Sequence, residues 1–258
     1  MSGGLRPVLR VEGLGVTYGA LIALDEVTWS VGAGEILGII GPNGAGKSSC
    51  YDAVTHLVRR RGKVFLSGEE VTDTAPHLLA ERGLKRAFQQ NAFFHELTVL
   101  ENMVTVLQDQ YGTGLLATTL LPFTQVRRRA DAEADARQRL IRFGIPEAYH
   151  HLKPTNIPYG TQRMLSIALA YGSGAKALLL DEPAAGLGGA DMTHLVNLLI
   201  SLKKEGLAVV VIEHHMDLIM SVADRIVVLE QGKLLATGTP HQIQSDPRVL
   251  EAYLGRAQ

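Results

Sequence analysis

The chain has 258 residues, 46% of them hydrophobic and 20% charged, with a formal net charge of −1. That is enough apolar material for one large α/β domain, or a core domain with one insertion. The balanced charge argues against a general nucleic-acid binder, which would carry a basic excess or stripe. A single cysteine, Cys50, excludes an intrachain disulfide framework and fits a reducing compartment. The segment from Met1 to Pro7 carries no apolar run of signal-peptide length. No stretch approaches the roughly 18–20 apolar residues that span a bilayer. Any action at a membrane is therefore expected from the water side.

The first third reads as short strands punctuated by glycine: Val8 to Val11, Val27 to Val31 and Glu35 to Ile40, rich in β-branched residues. A helix is expected from Lys47 to about Val58, with Cys50 packed on it, and a further strand in Gly62 to Gly68. Between Asn91 and Ile157 helix signals dominate. Arg127 to Phe143 is the strongest, ended by Gly144 and Pro146. The run Arg127-Arg128-Arg129 reads as a solvated helix face, and His150 and His151, without motif context, as surface residues. Then strands and helices alternate. Ala177 to Leu180 and Leu207 to Ile212 are continuous apolar runs, as parallel strands buried on both faces should be. Helical stretches fall near Gln162–Gly172 and Ala190–Lys204. Alternating elements of this kind imply a doubly wound parallel sheet.

Two motifs carry chemistry. Gly41-Pro42-Asn43-Gly44-Ala45-Gly46-Lys47-Ser48 fits G-x-x-x-x-G-K-[ST] at every position, after an apolar strand and at the start of a helix. Glycines let the backbone wrap phosphate oxygens, and the inward N–H groups and helix dipole favour the anion. Lys47 would reach the β- and γ-phosphates, Ser48 would ligate Mg²⁺, and Ser49 lies beside them. The second motif is Leu178-Leu179-Leu180-Asp181-Glu182-Pro183, an apolar strand ending in two carboxylates. Asp181 would hold the Mg²⁺ shell, and Glu182 would accept a proton from, or orient, an attacking water.

Together with Phe88-Gln89, Gly160-Thr161-Gln162-Arg163 and Ile212-Glu213-His214 in this order, these residues resemble the ABC transporter ATPase family over nearly the whole chain. The resemblance implies an α/β fold: a P-loop NTPase core with a mainly parallel sheet, an N-terminal antiparallel β subdomain and a helical insertion subdomain. It places the nucleotide-binding core in residues 1–90 and 158–258, and a permease-contacting helical subdomain in residues 91–157. It implies that Tyr18 stacks on adenine, that Gln89 touches Mg²⁺ and water, and that His214 holds the γ-phosphate, with ATP and Mg²⁺ as cofactors. Gln90 is adjacent, which leaves the register of that glutamine open by one, and His215 reads as a bystander beside His214. Asp181 through Leu187, and Gly238-Thr239-Pro240 through Ala252-Tyr253-Leu254-Gly255, look like the subgroup that serves hydrophobic (branched-chain) amino acid importers.

The sequence departs from the family at two places. The signature loop reads Ile157-Pro158-Tyr159-Gly160-Thr161, with Pro158 where the family has serine. Proline offers neither a hydroxyl nor a backbone N–H, and losing a hydrogen bond to a charged group costs about 1.5–3 kcal/mol. Gly160 and its helix N-terminus remain to face phosphate. Gly188-Gly189 stands where the family has Asp or Asn followed by Pro, so that loop is looser. The resemblance implies that each signature serves the partner's nucleotide, so the expectation is a heterodimer with unequal sites.

The expected function is an ATP-hydrolysing subunit that powers import of a small polar or amino-acid-like substrate. It would work through a separate permease and, indirectly, an external binding protein, at the cytoplasmic face of the inner membrane. The alternative is a nucleotide-binding scaffold with little hydrolysis. A role on DNA or ribosomes fits poorly with the near-neutral charge, the single nucleotide domain and the importer-like tail.

Overall fold

The computed structural model of the chain describes residues 7–87, 92–111 and 122–254. They fall into two compact units. One comprises Met1–Gln89, Ala175–Ala185 and Leu195–Gln258; the other comprises Gln90–Gly174 and Gly186–His194.

The first unit contains two sheets. Strands β1 (Leu9–Tyr18), β2 (Leu21–Val31), β4 (Arg61–Leu66) and β5 (Glu69–Glu70) form an antiparallel sheet in the order β2-β1-β4-β5. Strands β3 (Ile36–Ile40), β6 (Leu84–Ala87), β7 (Ala177–Asp181), β8 (Ala208–Ile212), β9 (Arg225–Glu230) and β10 (Lys233–Gly238) form the second, in the order β10-β9-β3-β8-β7-β6. All its pairings are parallel except β9 with β10. All residues of β3 and β8 are buried, which explains their unbroken apolar runs.

Strands β1 and β2 are far longer than the sequence pattern suggests. Gly13 and Gly15 interrupt the alternation in β1, but the strand continues through them with register shifts between Val11 and Val16, and Gly13 takes φ +58°. β1 and β2 join through a tight turn at Tyr18-Gly19-Ala20-Leu21, with Gly19 at φ +59°. The helix after β3 spans Lys47–Val54 and ends short of Val58. There the Thr55 hydroxyl donates to the Tyr51 carbonyl at 3.0 Å and His56 turns to φ +58°, so the chain leaves the helix.

The second unit is helical: Val99–Tyr111, Pro122–Arg142 and Tyr159–Tyr171, with single 3₁₀ turns at Glu147–Tyr149 and Pro154–Asn156. It reaches past residue 157 to Gly174, because Tyr159–Tyr171 packs on the other two helices. Buried Asn102 organises the entry to the first helix. Its side chain accepts the Phe94 N–H at 2.7 Å and donates to the Phe94, Leu97 and Thr98 carbonyls at 2.9–3.2 Å. His150 corrects the surface reading. It is fully buried, with Nε2 3.2 Å from the Ile145 carbonyl, because the turn at Glu147–Tyr149 folds it inward. His151 is exposed, as expected. Among the described residues, no helix is long and apolar enough to cross a membrane.

Candidate active site

Three loops leave the same, carboxyl-terminal edge of the parallel sheet from the neighbouring strands β3, β8 and β7. That edge is where open α/β sheets bind ligands.

The first loop, residues 41–46, runs from β3 into the helix Lys47–Val54. Gly41 lies at φ +154°, and a Cβ there would strike the Leu229 carbonyl and sit 3.0 Å from the Ala45 Cβ. Gly46 lies at φ +97°, and its Cβ would meet Leu24 Cδ2 at 2.8 Å and the Ala23 carbonyl. Only glycine fits either place, so the loop is pressed against β2 and β9 with its outer face free. Asn43, Gly44 and Ser48 are exposed, while Ala45 is buried as an anchor. Lys47 folds back over its own loop, donating to the Gly41 and Pro42 carbonyls at 2.7 and 3.0 Å. Partial burial lowers the Lys47 pKa, and the charges of Glu182 and Asp181 oppose that drop. The ammonium is thus close enough to both carboxylates to feel them.

The second loop follows β7. Asp181 pairs with Ile212 in the sheet register and is half-buried. Glu182 takes a left-handed φ of +46°, rare for a side chain of this size. Its N–H donates to the Ile212 carbonyl at 2.8 Å, and its own carbonyl accepts the Ala185 N–H at 3.1 Å. This sharp turn points the chain away from the sheet directly after the carboxylate.

The third loop follows β8. His214 is half exposed, with Nδ1 3.4 Å from Glu182 Oε1 and 3.8 Å from Glu213 Oε2. His215 stacks beside it at 4.4 Å between ring centroids. Lys47, Asp181, Glu182 and His214 therefore converge on one edge. A cation, two carboxylates and an imidazole thus share the edge from which the glycine loop also leaves.

The residues 24–185 match the family profile described as ABC transporter, and 233–258 match that of the branched-chain amino acid ATP-binding cassette transporter. The chain belongs to the ABC transporter ATPase family. It is 38% identical over 256 residues to the high-affinity branched-chain amino acid transport ATP-binding protein LivG of Escherichia coli K12, covering 98% of this chain and 99% of that one. It is equally similar, over the same spans, to BraF of Pseudomonas aeruginosa, a protein with the same description. The lipopolysaccharide export ATP-binding protein LptB of Haemophilus influenzae is 32% identical over 96% of this chain and 97% of its own length. Among solved structures, a nucleotide-free ATP-binding cassette from an ABC transporter superposes with a TM-score of 0.82 at 27% identity, over 97% of this chain and all of that one. ATP binding and hydrolysis in the service of transport are the family's activity, and this ABC ATPase is an enzyme of that kind.

In this ABC ATPase, Tyr18 closes β1 and is 46% exposed, a free ring at the mouth of the β1–β2 turn. Gln89, with Phe88 and Gln90, lies outside the described residues. Gly160 belongs to the helical unit. It is buried in the first turn of Tyr159–Tyr171, so close to Asp191 that a Cβ would meet Asp191 Oδ1 at 2.6 Å. Pro158 is the N-cap of that helix and supplies no side-chain hydrogen bond. Gly188 and Gly189 are exposed with open space around them. Cys50 is fully buried, and burial pushes its thiol up to about 12, as a packing role requires.

Sequence reasoning missed a brace behind the phosphate loop. The buried Tyr51 hydroxyl sits between the carbonyls of Ala87 and Leu179, 3.0 Å from the latter. Arg86 lies over the Tyr51 ring at 4.2 Å, pairs with Asp52 at 2.7 Å and donates to the Thr55 hydroxyl at 2.8 Å. The helix that carries Lys47 is thereby fixed to β6, the strand leading to Gln89. No local signal marks these residues, because their partners are far away in sequence.

Proposed function

We propose that this chain is the ATP-hydrolysing subunit of an importer for branched-chain or related amino acids. It would work from the cytoplasmic face of the membrane with a separate permease and an external binding protein. The observation that carries the reading is the near-full-length similarity to LivG and BraF, together with the match of the C-terminal segment to a branched-chain amino acid transporter profile. Family membership favours hydrolysis over the scaffold alternative.

In this reading the loop of residues 41–48, with Ser49, holds the phosphates of ATP and Tyr18 stacks on its adenine. Lys47 leaves its two carbonyl partners to reach the β- and γ-phosphates. The donor set suits Mg²⁺: a hydroxyl at the helix start and a carboxylate at a strand end are the hard oxygen ligands that this ion takes. Ser48, Asp181 and Gln89 would hold it, and when bound it neutralises charge on the phosphate oxygens. Glu182 orients the attacking water and accepts its proton, and His214 holds the γ-phosphate. Residues 91–157 carry the contact with the permease.

The altered signature favours a heterodimer. Pro158 supplies no hydroxyl to a nucleotide held by the partner, so the site it serves is the weaker one, and Gly160 alone represents the signature there. This chain's own phosphate loop would then pair with an intact signature on a second kind of ATPase subunit. Native mass spectrometry of the isolated transporter should show two different ATPase chains; two identical copies would rule the heterodimer out. The substrate is tested by uptake of radiolabelled leucine, isoleucine and valine into proteoliposomes holding the full transporter, binding protein and ATP. ATP-dependent uptake is expected. Hydrolysis without uptake of any of the three would overturn the substrate assignment.

A further inference from the structure

We infer that Glu213 is a positioning residue for hydrolysis, a buried carboxylate that ties the loop carrying Glu182 to the loop carrying His214. The inference rests on the reading that Glu182 and His214 act on the nucleotide.

Glu213 directly follows the strand β8 and its side chain is fully buried. Its two oxygens divide their work between two loops. Oε1 accepts the N–H of Ala184, two residues beyond Glu182, at 2.8 Å. Oε2 accepts the N–H of His214 at 3.0 Å and that of His215 at 3.1 Å. Its own N–H donates to the Ile39 carbonyl at 3.3 Å, near the end of β3 where the phosphate loop begins. One residue is thus bound to two loops of the site and to the strand that leads into the third.

The arrangement has a physical purpose. Glu182 holds a left-handed backbone, a strained conformation that persists only where the surroundings fix it. The bond from Glu182 N–H to Ile212 fixes one side of that turn, and the bond from Ala184 N–H to Glu213 fixes the other. The same carboxylate sets the backbone of His214, whose ring lies 3.4 Å from Glu182. All three donors aim at acceptors, a demand that a carboxylate meets at both ends. Glutamine has the same length but one acceptor end. Whichever way its amide turns, an NH₂ faces a buried N–H and one loop loses its anchor.

The test is steady-state ATP turnover of the complete transporter against ATP concentration. Glu213→Gln should lower kcat about ten- to a hundredfold and leave KM for ATP within about threefold. The double variant Glu213→Gln with His214→Ala should lose less than the product of the two single losses, because both act through one unit. Unchanged kcat in Glu213→Gln, a change confined to KM, or multiplied losses in the double variant would each overturn the inference. Glu182→Gln and His214→Ala are measured alongside. Normal turnover in those two would sink the site reading itself, whereas their collapse with an active Glu213→Gln would sink only the role of Glu213. Should Glu213→Gln not fold, amide hydrogen exchange of the unaltered chain decides. The N–H groups of Ala184, His214 and His215 should exchange slowly and together; fast exchange in either loop would overturn the tie.

Discussion

Gly41 and Gly46 show how closely the phosphate loop is cut to its backing. A Cβ on Gly41 has nowhere to go between the Leu229 carbonyl and Ala45, at a φ of +154°. Gly41→Ala should lower stability by about 1–3 kcal/mol, by overpacking in a place that cannot give, and should weaken binding of a fluorescent ATP analogue. A thermal melt and a binding titration check both, and an unchanged melt would mean that the loop is not pressed against β9. Tyr51→Phe removes the hydroxyl between the Ala87 and Leu179 carbonyls and should cost about 1–3 kcal/mol in denaturant unfolding. At this scale the sequence was uneven in what it revealed. The placing of Lys47, Asp181 and Glu182 at one sheet edge is legible because each sits in a motif that directly follows an apolar strand. Glu213, Tyr51 and Arg86 are not, because each earns its place through partners brought near only by the sheet.

The elements obey the hydrophobic pattern where they are buried on both faces and depart from it where glycine intervenes. β3, β7 and β8 read directly from their apolar runs. β1 does not, since Gly13 and Gly15 resemble strand ends until the register shifts absorb them. The turn Glu147–Tyr149 likewise buries His150, which pairwise sequence context cannot foretell. Burial lowers the His150 pKa from its ordinary 6.5, with a carbonyl and Glu147 opposing, and Arg137 and His151 adding to the drop. The sign follows from linkage. The unfolded chain takes up this proton at the ordinary value, the folded chain only at a lower pH. Stability from the neutral ring is therefore present above about pH 6.5 and is lost as pH falls below it. His150→Gln should flatten that loss between about pH 7 and pH 5, as chemical denaturation across the range would show. A slope identical to that of the parent chain would mean that His150 titrates normally.

At the scale of the whole molecule, the proposed function has this chain hold nucleotide on its own sheet edge and lend an altered signature to a partner. If Pro158 weakens the site that it serves, restoring the hydroxyl should strengthen it. Pro158→Ser in the complete transporter should raise total ATP turnover, by up to about tenfold if that site's chemistry is limited by one hydrogen bond to a charged group. No change would mean that the site served by this signature does not turn over for other reasons. The fold and the family were legible from the order of the motifs alone. The helical unit's extent to Gly174 was not, because it depends on which helices pack together. The central claim is that this chain's own carboxylate drives hydrolysis. It is tested most directly by steady-state ATP turnover of the lipid-reconstituted transporter with Glu182→Gln, which keeps the side chain's size but removes the base. The account predicts that turnover collapses while ATP binding is retained; turnover at the parent rate would place hydrolysis at the partner's phosphate loop and contradict it.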